Sequence, residues 1–218
     1  MKILAFAASL RKGSLNRKLI GVVTDMLREL GGEVDLAEFH EFDMPLFDGD
    51  RQAAEGLPPG ALALERRMRA APTMVIATPE YNYSIAGPLK NAIDWVSRAR
   101  PMPWRGRSIY LVSTSPGAIG GIRGLWQTRI PLEGCGALVF PDMFALAHAD
   151  RAFTDDGRLA DAAMADRLRQ QVLGFYRLAE AVEPLCCGKV HGEAAKRQQE
   201  ITRALEDESR IQPASGQG

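Results

Sequence analysis

The sequence predicts a three-layer α/β sandwich in which a five-stranded parallel sheet carries helices on both faces. Short apolar segments rich in β-branched residues alternate along the chain with amphipathic segments of helical spacing, and this alternation is typical of a doubly wound parallel sheet. The chain has 218 residues, of which 46% are apolar and 25% are charged, as expected for one domain with a substantial core. We therefore predict the strand order 2-1-3-4-5.

The first half of the chain contains three predicted strands and three predicted helices. In chain order they are a strand over 3–7, a helix over 16–30, a strand over 34–39, a helix over 62–71, a strand over 74–77 and a helix over 88–98. Gly31-Gly32 is predicted to end the first helix, and Pro72 to end the second. Residues 42–60 contain three prolines and are predicted to form a long irregular connection.

The second half completes the sheet and adds a tail. The predicted elements are a strand over 109–114, a helix over 122–132, a strand over 137–140 that 143–147 could extend beyond Pro141, and a helix over 159–182. Residues 1–185 are therefore expected to form one domain. Residues 186–218 form a separate tail, in which charged residues predict an exposed helix over 193–210 and a disordered end.

Charge and cysteine content exclude several classes of function. The 27 basic and 27 acidic residues balance, so neither nucleic acid nor an anionic membrane is expected as a partner. No apolar run is long enough to cross a bilayer and no secretory signal is readable, so the cytoplasm is the expected location. Three cysteines, two of them adjacent, make a poor disulfide framework, and the spacing of histidines and cysteines predicts no metal site.

The first loop, residues 8–17, lies between the first strand and the first helix. It combines the hydroxyls of Ser9 and Ser14 with the Asn16 amide and the Arg11 guanidinium. Together with the free N–H groups at the start of a helix, these groups describe an anion-binding site. The alternative is an ordinary Ser or Asn helix cap with solvated basic neighbours.

The second loop, residues 79–84, reads Pro-Glu-Tyr-Asn-Tyr-Ser and follows a buried strand. Two aromatic rings beside an amide, a carboxylate and a hydroxyl suit a planar ligand with polar edges. A turn whose tyrosines only pack on their neighbours is the alternative.

The third loop, residues 113–121, is rich in glycine and hydroxyl groups, which permit close approach of backbone amides to a ligand. Strands one, three and four are adjacent in the predicted order, so the three loops meet at one rim of the sheet.

These loops resemble those of the NADPH-dependent FMN reductases, the flavodoxin-like group that includes bacterial quinone, chromate and azo-dye reductases. The matching segments are 9–16, 79–84 with 89–95, and 117–121, and the order of elements agrees from residue 1 to about residue 182. Ala8 and Ala86 stand where the family usually has glycine and proline, but neither change removes a side-chain ligand. The resemblance implies a flavodoxin-like three-layer sandwich.

The resemblance also implies an activity. It describes an FMN-dependent NAD(P)H oxidoreductase that passes a hydride from NADPH, or NADH, to bound FMN and then to a quinone, azo, chromate-like or flavin acceptor. No protein side chain is expected to act as a catalytic acid, base or nucleophile, because FMN carries the redox chemistry. A homodimer or homotetramer is implied as well, with the segments around Trp126 and Phe144 as candidate contacts.

The cofactor-binding residues follow from the same resemblance. Those that it places around the FMN phosphate are Ser9, Arg11, Ser14, Leu15 and Asn16. Those that it places along the ribityl chain and the ring are Pro79, Glu80, Tyr81, Asn82 and Tyr83, and Ser84 is counted among the cofactor-binding residues with them. Ser115, Gly117 and the surrounding glycines would meet the far edge of the ring.

Two other functions compete with this interpretation. A one-electron carrier of the flavodoxin type would share the fold, although such carriers are usually strongly acidic and their phosphate loop lacks an arginine. A flavin-sensing regulator would use residues 193–210 to contact a partner. The sequence does not identify the electron acceptor or decide between NADPH and NADH.

Overall fold

The sheet is built from short strands whose side chains alternate between two apolar faces. In this computed structural model, which describes residues 1–186 together with Glu200 and Arg203, the strands are β1 (Lys2–Ala7), β2 (Glu33–Ala37), β3 (Thr73–Ala77), β4 (Glu80–Tyr81), β5 (Ser84–Ile85), β6 (Ser108–Thr114), β7 (Leu138–Val139) and β8 (Phe144–Leu146). The helices are α1 (Leu15–Glu29), α2 (Gly49–Glu55), α3 (Pro59–Ala70), α4 (Gly87–Val96), α5 (Ile122–Gly134) and α6 (Ala162–Cys186). A 3-10 helix spans Phe39–Phe42.

The main sheet has the order β2-β1-β3-β6-β7, and β8 also pairs with β6. Every pairing in it is parallel, so the predicted flavodoxin-like arrangement is confirmed. The fifth position differs in detail, because two short strands share it. β7 pairs with Ser108 and Ile109 at the start of β6, whereas β8 pairs with the last three residues of β6. Pro141 lies between them and has no N–H to donate to a ladder.

Two apolar clusters fill the space between the sheet and its helices. In β1, Leu4 and Phe6 belong to the cluster under α3, α4 and α5, whereas Ile3 and Ala5 belong to the cluster under α1 and α6. This division follows from the alternation of side chains along a strand. Burial of each large side chain stabilises the fold by roughly 1.5–3 kcal/mol, so strands that are apolar on both faces indicate a sheet covered on both sides.

The connection over 42–60 is more ordered than predicted. It contains α2, whose N-cap Asp48 accepts hydrogen bonds from the N–H groups of Asp50 and Arg51. None of the residues of α2 is buried. The helix therefore carries no apolar stripe, and a prediction based on hydrophobic periodicity had no signal to detect.

Local capping sets the ends of the first helix close to their predicted positions. Ser14 is the N-cap of α1, and Gly31 beyond its carboxyl end has a positive φ of 87°, a conformation that glycine adopts without strain. The last helix starts and ends a few residues later than predicted. Apart from Glu200 and Arg203, the residues of the predicted tail elements over 193–210 and beyond lie outside the described part of the chain. Within residues 1–186, no helix is both long enough and apolar enough to cross a membrane.

Candidate functional site

Asn16 fastens the first loop to the end of β6. Its side-chain Nδ2 donates to the carbonyl oxygen of Thr114 at 3.1 Å, and the Thr114 N–H donates to Asn16 Oδ1 at 3.0 Å. Both hydrogen bonds are buried, and they fix the start of α1 against the carboxyl end of a central strand. Because the Asn16 amide is committed to Thr114, its backbone N–H is the group left to face a ligand.

The first loop nevertheless collects the donors that an anion requires. The hydroxyl-bearing residues Ser9 and Ser14 are buried, and Ser14 Oγ accepts a hydrogen bond from the Arg17 N–H at 3.3 Å. The N–H groups of the first turn of a helix have no intrahelical acceptor, and Leu15 begins that turn. The helix-cap interpretation is thus correct for Ser14, and it leaves the neighbouring N–H groups available for an anion.

Arg11 extends from this loop into solvent. It is exposed, and among the described residues no ion pair engages its guanidinium. A free guanidinium beside the unpaired N–H groups of a helix start is suited to bind a phosphate.

The second loop, predicted as a loop at the end of a strand, forms a β-hairpin. Glu80 pairs with Ile85 and Tyr81 with Ser84, so Asn82 and Tyr83 form a two-residue turn. Both turn residues have positive φ, 49° and 66°, as a type I′ turn demands. The turn leaves the tyrosine rings exposed, Tyr83 by 67% and Tyr81 by 44%.

Glu80 anchors this hairpin to α5. Its Oε1 accepts hydrogen bonds from Arg123 Nε at 2.9 Å and from an Arg123 terminal nitrogen at 2.6 Å, and its Oε2 accepts the Gly124 N–H at 3.1 Å. Burial alone would raise the pKa of Glu80, but these hydrogen bonds outweigh it and hold the pKa below its ordinary value. The Glu80 side chain is 9% exposed and its carboxylate already has partners, so it is a structural anchor rather than a free ligand.

Arg123 is a site residue that the sequence did not reveal. Besides binding Glu80, its guanidinium lies over the Tyr83 ring, 3.8 Å from the ring centroid. It therefore holds the first strand and the turn of the hairpin at once. Arg123 is separated from Glu80 by 43 positions in the chain, and no spacing pattern in the sequence predicts a contact over that distance.

Glycines of the third loop serve close packing within the protein. A Cβ on Gly120 would lie 2.7 Å from backbone atoms of Leu146 in β8, and one on Gly121 would lie 2.2 Å from Ser113 Oγ. Both glycines also have positive φ, 63° and 87°. The prediction that the glycines of this loop let a ligand approach is therefore wrong for Gly120 and Gly121. At these two positions the atoms that come close belong to the protein itself.

Other parts of the third loop remain open toward the rim. The backbone of Ser115 accepts the Ala149 N–H at 3.0 Å, and Gly117 accepts the His148 N–H at 3.3 Å. These bonds fix the loop's path, while Gly117 itself is exposed and a Cβ there would meet only Ser115 Oγ at 3.6 Å.

The chemistry of this rim fits FMN. Hydroxyls, helix N–H groups and a free guanidinium in the first loop match a phosphate, and exposed tyrosines on the hairpin match a planar ring. No cluster of three or more potential metal ligands occurs among the described residues. The three loops thus form one candidate site with the donors for a phosphorylated aromatic ligand.

The fold and this rim define a flavodoxin-like protein, and comparison with known proteins specifies the family. The family model for NADPH-dependent FMN reductases matches residues 1–151. The chain belongs to this family. The predicted FMN- and NAD(P)H-dependent oxidoreductase is thereby confirmed.

Individual relatives agree with the family match. A probable NADPH:quinone oxidoreductase 2 of Oryza sativa is 35% identical, over 82% of this chain and 89% of its own length. A quinone reductase of Escherichia coli K12 is 32% identical, over 84% of this chain and 97% of its own length.

Solved structures support the same fold. The flavoenzyme NAD(P)H:(acceptor) oxidoreductase FerB of Paracoccus denitrificans superimposes with a TM-score of 0.72 at 30% identity, covering 83% of this chain and 97% of that one. An oxidised flavodoxin of Bacillus cereus, at 10% identity, has a TM-score of 0.52 over 81% of this chain and 98% of that one. That second likeness concerns the fold alone.

Proposed function

We propose that the protein is an NAD(P)H:quinone oxidoreductase that holds FMN at the rim formed by its three loops. The observation that carries the proposal is the meeting of an anion-binding helix start and an aromatic hairpin at adjacent strand ends, in a chain of the FMN reductase family. FMN supplies hydride acceptance and release when bound. The quinone acceptor is taken from the activities for which the curated relatives are named.

The residues of the first loop would bind the phosphate. Ser9 and Ser14 supply hydroxyls, and the N–H groups of Leu15 and Asn16 point along the axis of α1, whose dipole favours negative charge. Arg11 adds a cation that can form two parallel hydrogen bonds to phosphate oxygens. Asn16 also positions these groups through its hydrogen bonds to Thr114.

The hairpin and the third loop would orient the ring. The residues of these two loops that we assign to ring binding are Pro79, Glu80, Tyr81, Asn82, Tyr83, Ser84, Ser115 and Gly117. Glu80 acts indirectly, since its carboxylate is bound to Arg123 and Gly124. No side chain is required as a proton donor or acceptor, so the contribution of the protein is binding, orientation and electrostatics.

The assembly and domain limits form part of the proposal. Trp126 and Ile130 are 55% and 64% exposed on α5, and exposed apolar residues one helical turn apart favour a contact with a second copy of the chain. We propose a homodimer or homotetramer in the cytoplasm. Residues 1–185 would suffice as the reductase domain, because the whole family match, residues 1–151, lies within them.

A visible absorbance spectrum of the purified protein, recorded anaerobically, tests the proposal. We expect a flavin spectrum that bleaches when NADPH is added and returns when a quinone follows. A flavin band that NADPH does not bleach would favour an electron carrier or a sensor. A protein that stays colourless after incubation with FMN would overturn the assignment of the three loops.

A further inference from the structure

An apolar cleft of about 290 Å³ opens beside the first loop. Phe39 and Phe42, both buried, lie at its floor. Leu46 and Leu10 line it with exposed fractions of 85% and 50%, and Met44 completes the apolar wall. Two exposed leucines facing one concave space are costly in water, so the cleft is a surface suited to an apolar ligand.

The cleft borders both loops that would hold the flavin. Leu10 belongs to the first loop, and Gly87 and Pro88 also line the cleft and begin α4 directly after the hairpin. A molecule that reacts at the rim could therefore extend a substituent into this space.

Residues 43–47 form the lip of the cleft, and hydrogen bonds hold this segment in place before any ligand arrives. The carbonyl oxygen of Pro45 accepts hydrogen bonds from Asn91 Nδ2 at 2.9 Å and from Trp95 Nε1 at 2.7 Å. The Phe47 N–H donates to Asn91 Oδ1 at 2.8 Å. A preformed cleft spares its ligand the entropic cost of ordering the lip.

Packing from α3 fixes the same lip from the other side. A Cβ on Gly60 would lie 2.0 Å from the Asp43 carbonyl oxygen, so the start of α3 meets the lip at a distance that only glycine permits. Asp43 is also the charged residue that lines the cleft, and its carboxylate opposes anionic ligands.

We infer that this cleft binds the apolar substituent of a neutral quinone acceptor. The inference rests on the proposed quinone reductase function and adds to it a preference among acceptors. A quinone with an alkyl or prenyl chain would place its ring at the rim and its chain against Leu46, Met44 and the phenylalanine floor. Anionic acceptors and quinones without a chain would gain nothing from the cleft.

The test uses the FMN-loaded enzyme and two benzoquinones that differ only in a decyl chain on the ring. The quantity measured is the ratio of kcat/KM for the quinone with the chain to kcat/KM for the quinone without it. Leu46→Gln should lower this ratio about tenfold, because part of the apolar contact with the chain is lost. Leu62→Gln is the matched control, since Leu62 is a 46% exposed leucine on α3 outside the cleft.

The outcomes separate the cleft from the flavin site. An unchanged ratio in both Leu46→Gln and Met44→Gln would refute the inference. Weaker FMN retention in Leu46→Gln, read from the flavin absorbance, would show that the cleft holds the cofactor instead, and would refute it too. If the wild type reduces neither quinone, the proposed function fails. Quenching of tryptophan fluorescence by the decyl quinone then still decides whether the cleft binds the chain, since Trp95 lies beneath the lip.

Discussion

Some polar side chains of the first loop make hydrogen bonds within the protein, and others remain available to a ligand. Asn16 makes two buried hydrogen bonds to Thr114, and Ser14 caps α1. Arg11 is exposed and enters no ion pair among the described residues. Substitution of these side chains should therefore affect different properties, although one sequence motif contains them all.

Arg11→Ala should weaken FMN binding and leave the fold intact. Removing a charge-assisted contact to a phosphate is expected to raise the dissociation constant of FMN about tenfold. The measurement is a fluorescence titration of the flavin-free protein with FMN, together with a urea unfolding curve.

Asn16→Ala provides the contrast for that variant. It leaves two buried backbone groups of Thr114 without partners, so the free energy of unfolding should fall by about 2–4 kcal/mol. An Arg11→Ala protein with unchanged FMN affinity, or with a urea midpoint lowered as far as that of Asn16→Ala, would contradict this division of roles.

Glu80 should make stability depend on pH in the acid range. Its pKa in the folded protein lies below the ordinary value of 4.5, so the unfolded chain binds the proton more readily. The carboxylate therefore contributes stability that is fully present above pH 4.5 and is lost as the pH falls through the lower, folded pKa. Wild type should be more stable than Glu80→Gln at neutral pH, and this advantage should shrink in acid.

Urea midpoints of the two proteins at about pH 7 and about pH 3.5 measure this effect. Asp156 also has a lowered pKa, but it is present in both proteins and cancels in the difference. A difference between wild type and Glu80→Gln that stays constant over this range would show that the Arg123 pairing does not survive in solution.

Among the secondary-structure elements, those with an apolar stripe could be predicted and those without one could not. The periodicity of α1 and α4 placed these helices within about two residues of their observed ends. The exposed helix α2 and the hairpin were not predicted, since neither has buried apolar residues at regular spacing. The turn Asn82-Tyr83 also lacks the glycine that usually marks a type I′ hairpin.

The contact between α5 and the hairpin gives the next prediction, in which two glycines of α5 are compared. A Cβ on Gly124 would lie 3.0 Å from both Cα and Cβ of Glu80, whereas one on Gly134 would meet nothing within 4 Å. Gly134→Ala should raise stability by up to about 0.5 kcal/mol, because alanine favours the helix. Gly124→Ala must displace the hairpin, so it should lose this gain and weaken FMN binding severalfold.

Thermal unfolding and FMN titration of both variants check the comparison. Equal stability gains at both positions, with FMN affinity unaltered, would mean that the hairpin can move without affecting the site. Loss of FMN affinity in Gly134→Ala would be equally damaging, because that residue makes no contact with the rim.

For the molecule as a whole, the order of strands was predictable because it follows from a repeated local pattern. Each strand-helix unit adds a parallel strand, and right-handed crossovers leave few ways to arrange five of them. The same order brought three distant loops to one rim, which is why the motif residues could be assigned together. The contacts of Glu80 with Arg123 and of Pro45 with Trp95 join residues that are far apart in the chain. They depend on how the side chains are oriented in the folded protein, so the spacing of residues in the sequence does not predict them.

Trp126 and Ile130 lead to the last prediction, which concerns assembly. Both project from α5, the helix that also anchors the hairpin through Arg123. Burial of the parts of these two side chains that are still exposed would contribute roughly 2–4 kcal/mol for each protomer. Trp126→Glu combined with Ile130→Glu should therefore convert a dimer or tetramer to a species near the 23.8 kDa of a single chain.

Light scattering coupled to size-exclusion chromatography measures this change, and Leu36→Glu controls for the added charge. Leu36 is 42% exposed and lies in β2, at the opposite edge of the sheet from β7. If the interface supports the flavin site, the monomeric variant should also retain less FMN, because the hairpin bound to α5 would lose its neighbour. A wild-type protein that is already monomeric would remove the α5 interface from the proposal. The three-loop site would stand without it, since every residue assigned to that site lies within one chain.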